Sequence, residues 1–85
     1  TEEKLGMVDK AEQLLLDLGF HQVRVRIHGM MARIEIDPAE FDKLMQPETR
    51  EKITRELKSC GFTYVTLDLM GYRTGSMNET LDIKK

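Results

Sequence analysis

The chain has 85 residues, 40% of them hydrophobic, and a single cysteine, so it can close one small two-layer domain but has neither a disulfide framework nor the bulk to enclose a deep cavity. One third of the residues are charged (33%), yet the formal net charge is only −2, which excludes a global attraction to nucleic acid or to an anionic membrane and makes any basic site local. No apolar run approaches the roughly 18 residues of a membrane span, and "TEEKLG" reads as neither a signal nor a transit peptide, so a cytoplasmic protein is expected.

"VDKAEQLLLDLG" sets Val8, Ala11, Leu15 and Leu18 on one helical stripe, with Gly19 where a left-handed terminating residue is wanted. Strict alternation follows, with Val23, Val25 and Ile27 opposed to Arg24, Arg26 and His28. After Gly29-Met30 the pattern resumes, Ala32, Ile34 and Ile36 against Arg33, Glu35 and Asp37. Parity fixes the connection. A two-residue loop pairs Val25 with Ile34 and keeps both faces pure, whereas one more residue would set Val25 against Glu35. Gly at the first loop position suits a type II′ turn.

"DPAEFDKLM" predicts a short helix with Asp37 as N-cap, Pro38 at its first position and Glu40 completing a capping box, and Phe41, Leu44 and Met45 as its apolar contacts. A further helix restarts after Pro47, buries Ile53, Leu57 and Cys60, and stops at Gly61. "FTYVTLDL" is a third strand, with Val65, Leu67 and Leu69 inward and Tyr64, Thr66 and Asp68 outward. The end reads as a polar loop and then a loose tail over residues 80–85. "LGFHQVRVRIHG" and "CGFTYVTLDLMG" echo one another, each after an amphipathic helix. The whole predicts a single α+β domain over residues 1–79, in the order α-β-β-α-α-β. Helices cover one face of a three-stranded, mainly antiparallel sheet, and the Arg-bearing strand is expected at its centre.

This arrangement leaves Arg24, Arg26, His28, Arg33, Glu35, Thr66 and Asp68 on the uncovered face. Arg24 then lies across from Glu35, a favourable pair, and Arg26 lies across from Arg33. Facing like charges cost roughly 0.2–1 kcal/mol. Two guanidiniums side by side make sense where a carboxylate, a phosphate or a partner's acidic group lies between them, because Arg forks grip such oxyanions in pairs of hydrogen bonds. The plainer reading stands beside it: one face of an antiparallel sheet often meets only solvent, and alternating charge is its usual dress. The loop "GYRTGSMN" is the second informative segment. Gly71 and Gly75 lend backbone freedom, and Arg73, Thr74, Ser76 and Asn78 offer donors for a phosphate or a neighbouring domain. Cys60 falls on a buried stripe and reads as a core thiol. His21 and His28 lack partners at metal-ligand spacing, so no metal site is expected. The chain carries no catalytic constellation of its own.

"GFHQVRVRIHG..ARIEI" followed by "GFTYVTLDLMGYRTGSMNE" resembles the C-terminal domain of the ATP-dependent sacrificial sulfur transferases (the LarE family), within the PP-loop ATP pyrophosphatase superfamily. The resemblance runs from the first helix through Glu79. It implies a larger enzyme whose N-terminal nucleotide-binding domain, with a Ser-Gly-Gly-x-Asp-Ser phosphate loop, is absent from this sequence. ATP and Mg²⁺ would belong to that domain, and this one alone would bind no cofactor. The sulfur-donating cysteine of the family would also lie outside, since Cys60 does not match its position. The family thiolates a pyridinium dicarboxylate mononucleotide for the nickel-pincer cofactor of lactate racemase. Its paired arginines fall on Arg24 and Arg26, its acid on Glu35, and a further acidic position on Glu12. Substrate or phosphate binding, or an interface, is therefore expected at Arg24, Arg26, His28, Arg33, Glu35, Arg73, Ser76 and Glu12. The expected partners are the N-terminal domain, the anionic mononucleotide and further copies of the protein, with no membrane and no nucleic acid. The competing expectation is a stand-alone interaction or RNA-binding α+β module.

Overall fold

In a computed structural model, which describes residues 1–73, the chain runs α1 (Glu2–Asp17), β1 (Val23–His28), β2 (Met31–Ile36), a 3₁₀ turn (Pro38–Glu40), α2 (Phe41–Met45), α3 (Pro47–Ser59) and β3 (Tyr64–Leu67). The α+β class and element order are those expected.

The echo between the two halves has a physical basis at the helix ends. Gly19 (φ 98°) and Gly61 (φ 117°) both take the left-handed conformation. Phe20 N–H then reaches Leu15 O (3.2 Å) and Gly19 N–H reaches Leu16 O (3.0 Å), while Phe62 N–H reaches Leu57 O (3.3 Å) and Gly61 N–H reaches Lys58 O (3.0 Å). These are two Schellman motifs, whose usual apolar contact joins the residue after glycine to the last helical turn. Phe20, Leu15, Phe62 and Leu57 are accordingly all buried in the core. At the other end of α1, the Thr1 hydroxyl accepts from Lys4 N–H, and Glu2 and Glu3 place negative charge where the helix dipole favours it.

The hairpin keeps the register that parity demanded: Val23 opposite Ile36, Arg24 opposite Glu35, Val25 opposite Ile34 and Arg26 opposite Arg33. Gly29 takes φ 60°, and among the described residues none but glycine has a positive φ, as a type II′ turn requires. The strand order differs from expectation, because β2 is central and β1 and β3 are the edges. β3 lies parallel to β2, with Arg33 opposite Thr66. Burial gives the reason. Ala32, Ile34 and Ile36 of β2 are all buried, whereas β1 buries only Val25 and exposes Arg24, Arg26 and His28. A strand that carries Arg24, Arg26 and His28 on its outward positions is suited to an edge, where charge discourages pairing with another chain.

Three smaller expectations change. Leu69 is 81% exposed rather than inward, because the strand ends at Leu67 and Asp68 folds the chain over, its carboxylate accepting from Met70 N–H (2.9 Å) and its carbonyl from Gly71 N–H (3.0 Å). Asp37 caps its turn by accepting from Ala39 N–H (3.0 Å), but Glu40 closes no capping box and instead accepts from His21 N–H (3.1 Å). Met45 and Cys60 lie less deep than their stripes implied, Met45 exposed at the end of its five-residue helix and Cys60 half-buried as the cap of α3.

Candidate functional site

The helices pack against the side of the sheet that carries Val25, Ile34 and Ile36, and alternation sends Arg24, Arg26, His28, Arg33, Glu35 and Thr66 to the other side. Glu35 is the one charged residue among the described ones that is buried, at 9% exposure. Its Oε2 stands 3.6 Å from Arg26 Nε and 3.5 Å from Arg33 Nη2. Arg33 Nη1 lies 3.4 Å from Asp68 Oδ2, just beyond the end of β3. The facing guanidiniums are thus bridged by a carboxylate of the chain itself. These separations exceed the 2.7–2.9 Å typical of charge-assisted hydrogen bonds, so the contacts are Coulombic and leave fork donors unused. One of them, Arg33 Nε, is buried with no hydrogen-bond partner among the described residues.

Arg24 behaves differently. It faces Glu35 in register, yet makes no ion pair among the described residues, because Glu35 turns to the other two arginines. Its guanidinium lies instead over the Tyr72 ring, 6.0 Å from the centroid, within cation–π range. Its pKa is raised, first by hydrogen bonding to the Tyr72 side chain and its electrostatic influence, against an opposing cost of burial, with Glu12 and Glu35 adding smaller contributions. A guanidinium is protonated at any pH the fold survives, so the charge of Arg24 is permanent with or without this shift.

Glu12 reaches the same neighbourhood from α1. Its Oε2 accepts from Val25 N–H at 2.9 Å, an amide that points away from β2 at the sheet's free edge. Arg26, His28, Arg33, Glu35 and Arg73, with Val8, line an open depression of 570 Å³ along β1. The structure therefore gathers Arg24, Arg26, His28, Arg33, Glu35, Arg73 and Glu12 around one strand. Ser76, with Thr74 and Asn78, lies outside the described residues. Three guanidiniums (Arg24, Arg26, Arg33) against two carboxylates (Glu35, Asp68) leave the face itself one positive charge.

Sequence reasoning places Asp68 on this face without giving it a partner and does not single out Tyr72. The signal for Asp68 is parity with Thr66. The signal for Tyr72 is Gly71, whose φ of 81° lets Tyr72 N–H reach Ile36 O at 2.7 Å and brings the ring back across the sheet. Away from the face, Ile34, Leu44, Ile53, Val65 and Leu67 line an apolar groove of 270 Å³ beside β3, with Arg50 at its margin. Among the described residues no three His, Cys, Asp or Glu side chains are grouped to hold a metal ion, and no helix is long and apolar enough to cross a membrane.

No family model matches the chain. It is 44% identical over 81 residues, 95% of its length, to the pyridinium-3,5-bisthiocarboxylic acid mononucleotide synthase of Lactiplantibacillus plantarum. It is 42% identical over 81 residues to an uncharacterized protein of Synechocystis. The chain spans only 29% and 30% of the lengths of these two relatives.

Proposed function

We infer that this chain, which belongs to the LarE family of sulfur transferases and fits its C-terminal domain, serves a longer enzyme that thiolates a pyridinium dicarboxylate mononucleotide for a nickel-pincer cofactor. The observation that carries the reading is the 44% identity, sustained over 95% of the chain, to a synthase of the bisthiocarboxylic mononucleotide. The reading assigns the ATP, the Mg²⁺ and the sulfur donor to the remainder of such an enzyme.

The part proposed for this chain is anion recognition. A mononucleotide with a phosphate and two carboxylates needs fixed cations, and arginine holds such oxyanions in a planar fork. Arg24 and Arg26 stand two residues apart on the outward side of β1, and Arg26 lines the depression together with His28 and Arg73. Glu35 and Asp68 hold Arg26 and Arg33 in place and prevent them from driving each other apart. Part of the face can also serve as the seat of the nucleotide-binding domain or of a second copy, since the same unused donors suit a partner's carboxylates.

The test is a segment exchange. The corresponding segment of the L. plantarum synthase is replaced by this chain, and thiolation of the mononucleotide is measured with and without Arg24→Ala and Arg26→Ala. An active chimera that the paired substitutions silence without unfolding supports both parts of the reading. A folded, inactive chimera argues against the enzyme assignment. Activity insensitive to the substitutions argues against the anion role. Tight, steeply salt-dependent RNA binding by the 85-residue chain would favour the interaction-module alternative instead.

A further inference from the structure

The three arginines of the open face are not held alike. Arg26 and Arg33 are tethered to carboxylates, whereas Arg24 is exposed, forms no ion pair among the described residues, and lies over the Tyr72 ring. An exposed arginine left alone samples many rotamers, and ordering it at the moment of binding weakens the affinity it can give.

Tyr72 itself is firmly placed. Asp68 N–H donates to Ile34 O at 2.8 Å, Gly71 N–H to Asp68 O at 3.0 Å and Tyr72 N–H to Ile36 O at 2.7 Å. The turn is packed so closely that a Cβ on Gly71 would stand 2.7 Å from Ile36 O and 2.8 Å from Pro38 Cγ. The chain thus leaves β3, passes tightly beside the end of β2, and delivers an aromatic ring to the first arginine of β1.

We propose that Tyr72 is the positioning residue for Arg24, its ring holding the guanidinium in an extended pose from which the unused fork donors meet the ligand's phosphate. The proposal rests on the reading of the face as an anion site. It divides the labour among the arginines: Arg33 is a structural brace, Arg26 is shared between brace and ligand, and Arg24 is the cation kept for the ligand. A face ring is suited to this task because a carboxylate in the same place would neutralise the charge that the phosphate needs, whereas an aromatic ring orients it and leaves it whole.

The experiment uses the 85-residue chain, its Tyr72→Ala and Tyr72→Phe variants, and inorganic phosphate as the probe. Arginine side-chain Nε–Hε relaxation reports the order of Arg24 and Arg33 separately, and chemical-shift titration reports phosphate affinity. In Tyr72→Ala, Arg24 should lose order, phosphate binding should weaken by about three- to tenfold, and Arg33 should be unaffected. Tyr72→Phe retains the ring but loses the hydroxyl that hydrogen-bonds Arg24, so it should hold part of the order of Arg24 and bind phosphate with an affinity between those of the parent and Tyr72→Ala. Arg24 equally ordered in Tyr72→Ala, or loosened with no change in affinity, overturns the role of Tyr72 alone. Failure of the unsubstituted chain to bind phosphate at Arg24 overturns the anion reading beneath it.

Discussion

Arg26 and Arg33 face each other across the hairpin and share a single oxygen of Glu35, at 3.6 and 3.5 Å. The facing pair is therefore no unrelieved clash, because the repulsion is relieved by a carboxylate two residues along β2. Glu35→Gln removes that charge and keeps the shape. It should cost about 1–2 kcal/mol in denaturant unfolding, less than the roughly 3–5 kcal/mol of breaking a fully buried pair because both guanidiniums are partly hydrated. Adding Arg26→Gln to that variant should recover part of the loss. A Glu35→Gln chain as stable as the parent would show that the arginines simply splay into water.

Removal of either arginine should give unequal results. Arg26→Ala leaves Glu35 with Arg33, so stability should change by no more than about 0.5 kcal/mol while anion binding weakens. Arg33→Ala strips a partner from both Glu35 and Asp68 and should cost at least about 1 kcal/mol more than Arg26→Ala. Parallel thermal melts and phosphate titrations of the two variants check this, and a larger stability loss for Arg26→Ala would reverse the roles of brace and ligand contact.

The parts of the fold that are legible in the sequence are those that follow from period and parity. Alternation around Gly29-Met30 rules out every one-residue slip, and the two-residue loop that the sequence favours gives the register the structure has. Gly19 and Gly61 mark their helix ends because the left-handed conformation there is open to few other residues. Strand order is not legible in the same way, since the period of a strand says which face is buried and nothing about which edge is paired. The signal that could decide it is asymmetry: two arginines and a histidine outward and exposed on β1, against Glu35 among buried neighbours on β2. The pairing of Arg24 with Glu35 holds as register and fails as contact, because one carboxylate has three guanidiniums within reach. Tyr72 cannot be assigned to Arg24 from the sequence at all, since only the turn at Gly71 carries it back over the sheet.

Two glycines with positive φ make a controlled comparison. Gly29 has φ 60° and nothing within 4 Å of where a Cβ would lie, so Gly29→Ala meets only the conformational penalty of about 1 kcal/mol. Gly71 has φ 81° and an Ile36 carbonyl oxygen 2.7 Å from where the Cβ would lie, so Gly71→Ala adds a backbone clash to the same penalty. It should cost at least about 2 kcal/mol or displace the segment, and in either case release Tyr72 from Arg24. Urea unfolding of both variants, with the Arg24 Nε–Hε resonance as local reporter, checks the difference. Equal losses would mean that the turn at Gly71 yields without strain.

Glu12 links the helix layer to the free edge of the sheet. Among the described residues no strand pairs with the outer side of Val25 N–H, and the Glu12 carboxylate supplies the acceptor at 2.9 Å. Removing it leaves a partly buried amide unsatisfied and uncovers one pairing position on an edge strand. Glu12→Ala should therefore lower stability by about 1–2 kcal/mol, speed hydrogen exchange at the Val25 amide beyond the change in global stability, and increase concentration-dependent association. Glu12→Gln retains an acceptor oxygen and should restore most of the protection, while removing the carboxylate that helps raise the Arg24 pKa. The two effects separate the residue's roles. Protection rescued by glutamine with phosphate affinity unchanged makes Glu12 an edge plug alone, whereas rescued protection with altered affinity ties the plug electrostatically to the arginine beside it.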